Sequence, residues 1–124
     1  MRRRLALLLA ATALPACGSA PTPSNPAEIV RVGTGERFEV VLRANHSTGF
    51  EWVLADSVGL GPIRVEGRRY EVPRALRRQN GASGTETWTF SALAPGEGAV
   101  ALVYRRPWED HPAADSARFR VVIR

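Results

Sequence analysis

Apolar and polar residues alternate along most of this chain. Phe38, Val40 and Leu42 are set against Arg37, Glu39 and Val41, and Trp88, Phe90 and Ala92 against Thr87, Thr89 and Ser91. Val100, Leu102 and Tyr104 form a third set, and Phe119, Val121 and Ile123 a fourth, opposed by Arg118, Arg120 and Arg124. A period of two puts each apolar set on one face of a pleated strand. Shorter strands are expected at Ile29–Val32, Glu51–Leu54 and Ile63–Tyr70. Turn signals at Gly33–Glu36, Ala94–Gly98 and Pro112–Ser116 are expected at one end of the domain, and Pro73–Arg78 can form a turn of helix.

About seven strands in a domain of this length predict an all-β, immunoglobulin-like antiparallel β-sandwich. Three runs of unusual residues interrupt the pattern: Asn45–Trp52, Gly81–Gly84 and Arg106–Trp108. They fall between strands two and three, before strand five, and between strands six and seven. In such a sandwich these three connections lie at the same end. The sequence thus predicts a binding edge made of loops.

The first 27 residues have a different character. Met1–Arg4 is a charged start, Leu5–Leu14 an apolar run, and Cys17 follows Ala16. The run is far short of the roughly 20 residues a bilayer needs, so residues 1–17 read as an export signal. Cys17 is the only cysteine, which excludes an internal disulfide and a cysteine-based zinc site. Its position resembles a bacterial lipobox, which implies a lipid on Cys17 and a membrane-anchored protein facing the periplasm or cell exterior. An ordinary signal, cut after Ala16 or Ala20, would instead leave a secreted protein. Residues 18–27 are rich in Ser, Ala and Pro and suit a flexible tether, which leaves residues 28–124 as one domain.

The formal net charge is +5, but residues 1–17 carry three arginines and no acid, so the rest of the chain retains +2. That balance gives no support to a nucleic-acid partner. All 17 basic residues are arginine. Arg74, Arg77 and Arg78 make one loop basic, by default a solvated loop, although it suits an acidic peptidase rim.

The run Asn45, His46, Ser47, Thr48, Gly49, Phe50, Glu51, Trp52 resembles the N-P-T-T-G-Y/F-x-W signature of the chagasin family, inhibitors of papain-like cysteine peptidases. Gly81, Ala82, Ser83, Gly84 resembles the family's G-x-G-G loop, and Arg106, Pro107, Trp108 its R-P-W loop. The motifs stand in family order across the whole domain. The resemblance implies a wedge of three loops that enters a peptidase cleft without being cleaved. Ser47, Thr48 and Gly49 would approach the catalytic cysteine, Arg106–Trp108 would fill the primed side, and Gly81–Gly84 would clamp the other flank. Asn45, His46 and Phe50 complete the first loop, and one wedge implies a monomer binding one peptidase.

Three departures set further expectations. His46 replaces a proline and should loosen its loop; Ser47 replaces a threonine and loses a methyl contact. Ser83 replaces a glycine and would be strained if its φ were positive. Trp52 and Trp88 are expected in the core, whereas no strand periodicity explains Trp108. Asn45 is expected to cap its turn, and Arg106 can pair with Glu109 or Asp110.

An enzyme is excluded on chemical grounds. The domain has only His46 and His111 as imidazoles, no HExxH, no phosphate loop and no nucleophile elbow, so no cofactor or metal is expected. The alternative class is an immunoglobulin-like envelope lipoprotein acting as a binding or adhesion module. It gives no reason for three ordered motifs.

Overall fold

The computed structural model describes residues 20–124. The export signal expected at residues 1–17, with Cys17, lies outside the described residues. The described residues form seven strands: β1 (Val30–Val32), β2 (Arg37–Ala44), β3 (Glu51–Leu54), β4 (Ile63–Glu71), β5 (Gly84–Ala92), β6 (Gly96–Arg105) and β7 (Asp115–Ile123). They form two sheets, ordered β1-β7-β6-β3 and β2-β5-β4. This is the expected sandwich, with one departure: β1 pairs with β7 in parallel.

The period of two explains the layering. Phe38, Val40 and Leu42 from β2 and Trp88, Phe90 and Ala92 from β5 turn inward, as do Val100 and Leu102 from β6 and Phe119, Val121 and Ile123 from β7. Trp52 is buried among them, and the Phe38 and Phe90 rings stack at 5.2 Å. Burying a side chain of this size contributes on the order of 1.5–3 kcal/mol, so the core holds without a disulfide.

Three connections leave one pole of the sandwich: residues 45–50 between β2 and β3, 72–83 between β4 and β5, and 106–114 between β6 and β7. Two of the turns expected at the opposite pole are there. Pro112–Ser116 is not, because Asp115 pairs with Tyr104 near the end of β6 and keeps residues 112–114 at the loop pole. The place assigned to it is taken by residues 55–62, between β3 and β4. The helical turn expected at Pro73–Arg78 is a short 3-10 turn, Arg74–Leu76.

The spacer read at residues 18–27 is not free of the domain in its described part. Pro21 O accepts from Glu39 N at 3.0 Å and Pro23 O from Val41 N at 3.2 Å, and Pro23 is buried. The reason is the open edge of β2, whose N–H groups need acceptors. Proline supplies a carbonyl but no donor of its own.

Candidate functional site

The loop pole is held together by Asn45. Its Oδ1 accepts from Ser47 N at 3.1 Å and from the Ser47 hydroxyl, capping the 3-10 turn His46–Thr48 as expected. Its Nδ2 donates to Gly81 O at 3.0 Å and to Ser83 Oγ at 3.4 Å, which ties the β2–β3 loop to the β4–β5 loop. Its backbone N donates to Tyr104 Oη at 2.8 Å, which anchors the turn to β6. Thr48 Oγ1 closes the same turn on Asn45 O at 2.7 Å.

Arg106 and Trp108 tie in the third loop. Arg106 Nε donates to Thr48 O at 2.9 Å, and its guanidinium lies 4.5 Å from the centre of the Phe50 ring, a cation–π contact. Its Nη1 also pairs with Glu109 Oε1 at 3.2 Å, as the sequence suggested. Gly49 has φ +82°, and a Cβ there would stand 2.3 Å from the Trp108 ring. The indole therefore closes on bare backbone at a position only glycine can supply. Trp108 is still 70 % exposed, and Pro107 beside it is exposed as well.

His46 is not loose. Its ring stacks on Tyr70 at 3.8 Å, and its Nε2 lies 3.0 Å from Glu86 Oε2. Glu86 is 1 % exposed and also accepts from Trp52 N at 3.1 Å and Trp88 Nε1 at 2.8 Å, with Arg68 Nη1 at 3.7 Å. A buried carboxylate with this many donors is satisfied rather than stranded. The loss of proline is thus offset by a side chain fixed to the core.

Ser83 bears no backbone strain, since among the described residues positive φ occurs only at glycines. Gly81 supplies the left-handed turn at φ +78°, and Ser83 accepts the Asn45 hydrogen bond. Gly84 is needed for close approach: a Cβ would meet Glu71 O at 2.3 Å. Ala82, half-buried, lines a groove with Ser47, Tyr70, Val72 and Leu76.

All thirteen loop residues singled out in the sequence therefore stand at one pole. Sequence reasoning missed Glu86, Tyr70, Tyr104 and Arg68, which hold the loops from beneath. Glu86 had a readable signal, because it stands in phase with the inward-facing Trp88 and Phe90. Among the described residues no group of His, Cys, Asp or Glu is arranged to hold a metal ion.

Comparison with known proteins agrees with this geometry. Residues 31–123 match the model of the chagasin family peptidase inhibitor I42. The chain is 33% identical over 107 residues to chagasin of Trypanosoma cruzi, covering 83% of this chain and 94% of that protein. Among solved structures, the cysteine protease inhibitor EhICP2 of Entamoeba histolytica superposes with a TM-score of 0.69 at 19% identity, over 85% of this chain and 96% of that one. PbICP-C, solved in complex with falcipain-2, superposes with a TM-score of 0.57 at 16% identity, over 86% and 100% of the two chains.

Proposed function

This chain belongs to the chagasin family of peptidase inhibitors, and we propose that it reversibly inhibits papain-family cysteine peptidases by filling their active-site cleft with three adjacent loops. It supplies no chemistry of its own. The observation that carries the proposal is the cross-bracing of the loop pole, where Asn45 fixes the β4–β5 loop and Arg106 fixes the β6–β7 loop to a shared central turn.

Binding costs free energy for every segment that must be ordered, so a wedge braced before contact keeps more of its interaction energy. The central turn, Asn45–Phe50, presents Ser47, Thr48 and Gly49 toward the catalytic cysteine. Arg106, Pro107 and Trp108 occupy the primed side, where an exposed tryptophan beside an arginine has the composition of an interface hot spot. Gly81, Ala82, Ser83 and Gly84 clamp the other flank. The interface should be of protease-inhibitor size, on the order of 1,600 Å² in total.

We also propose that the protein is exported and anchored through a lipid on Cys17. The charged start, the short apolar run and the cysteine that ends it support this reading. The inhibitory reading is tested by titrating papain with the protein and following hydrolysis of a fluorogenic peptide. Competitive inhibition by intact, uncleaved protein is the expected result. No inhibition at micromolar folded protein, across several papain-like peptidases, would overturn it.

A further inference from the structure

We infer that the wedge is electrically polarised from one flank to the other, and that this selects peptidases whose cleft rim is acidic where the β4–β5 loop lands. The inference rests on the inhibitory reading and adds to it the kind of partner surface the wedge fits.

The β4–β5 loop, residues 72–83, carries Arg74, Arg77 and Arg78 and no acid, a net charge of +3. All three arginines are exposed. The arginines of the adjoining strand β4 are matched: Arg64 with Glu66 at 2.8 Å, Arg69 with Glu39 at 3.2 Å, and Arg68 with Glu51 at 3.7 Å. The two acids that flank the loop are already engaged. Glu71 lies 3.5 Å from Arg69, and Glu86 is buried under His46. Among the described residues the three loop arginines form no ion pair, so their mutual repulsion is uncompensated within the fold.

The opposite flank has the other sign. Residues 106–114 hold Arg106, Glu109 and Asp110, a net charge of −1. Arg106 is taken by Glu109, which leaves the exposed Asp110 as the unmatched charge. Between the flanks, residues 45–50 contain no Arg, Asp or Glu. The hydrogen bonds of Asn45 to one neighbour and of Arg106 to Thr48 place this neutral loop in the middle.

The basic flank is also concave. A groove of about 300 Å³ lies between Ser47 of the central loop and Tyr70, Val72, Leu76 and Arg77. An acidic side chain on a cleft rim can enter beside Arg77 while Ser47 sits in the cleft. A field of this kind acts on the encounter more than on the finished contact, raising association rates by about tenfold or more and losing its effect in salt.

Stopped-flow association of the full chain with papain, and with a papain variant given extra acidic residues on the rim facing the β4–β5 loop, tests this. At low salt, Arg74→Gln/Arg77→Gln/Arg78→Gln should slow association with the acidified papain by about tenfold, with the melting temperature unchanged. Arg74→Gln/Arg78→Gln, which keeps the Arg77 Nε bond to Val72 O, should show the same direction should the triple variant fold poorly. Raising the salt should erase the difference. Equal association rates for wild type and both variants at low salt would overturn the inference while leaving inhibition intact. Failure of the wild type to inhibit either peptidase would instead remove the functional reading and the inference together.

Discussion

Trp108 and Gly49 act as a unit. The indole rests on the bare backbone of a left-handed glycine, so its pose depends on a missing Cβ in another loop. Trp108→Ala should weaken peptidase inhibition by about 2 kcal/mol with the melting temperature unchanged; an unaltered inhibition constant would remove its role. Gly49→Ala should also weaken inhibition, by expelling the indole and straining the turn, and near-ultraviolet circular dichroism would report the displaced ring. Glu86 works from below, and Glu86→Ala should cost about 3 kcal/mol in denaturant unfolding, because it leaves Trp52 N and Trp88 Nε1 without the acceptor on which they now converge. Phe50, Arg106 and Asn45 were legible as motif residues, but their cross-loop bonds were not. Sequence spacing carries no information about which carbonyl in another loop a side chain will reach.

At the scale of elements, alternation identified β2, β5, β6 and β7, because inward and outward faces of a half-buried sheet differ in chemistry. Strands β1, β3 and β4 were shorter candidates bounded by turn signals, and β4 is exposed along most of its length. Alternation failed where that contrast fades. The extended stretch at residues 21–23 is proline-rich and polar, so nothing marked it as partner to the edge of β2. The β6–β7 connection was misdivided at Pro112 because proline and aspartate signal a turn without saying at which pole it lies. On β4 a bulge falls between Val65 and Gly67, and Glu66 accepts from the Ser91 hydroxyl and from Arg64 at 2.8 Å. These bonds, the Ser91 one foremost, hold the Glu66 carboxyl below its ordinary value of 4.5. A lowered carboxylate pKa stabilises the fold above that value and loses the contribution as the pH falls below it. Ser91→Ala should therefore lessen the loss of melting temperature below pH 4.5, a change read by thermal melts across that range. Gly84→Ala should destabilise the β4–β5 pairing by about 1–3 kcal/mol, since the new methyl meets a backbone carbonyl.

For the whole molecule, two sheets bring three sequence-distant loops to one pole, and Pro21, near the start of the described residues, pairs with Glu39 in the half of β2 farther from that pole. A lipid on Cys17 would leave the wedge facing outward from a membrane. Cys17→Ser should move the protein from the membrane fraction to the soluble one; equal fractionation of mutant and wild type favours the secreted form. The central claim is that all three loops enter the peptidase cleft together, and hydrogen exchange on the complex with papain reads it most directly. Slowed exchange at residues 45–50, 79–84 and 105–109, with none at the turns 33–36 and 94–98, is the predicted result. Protection confined to one loop, or centred on the opposite pole, would contradict it.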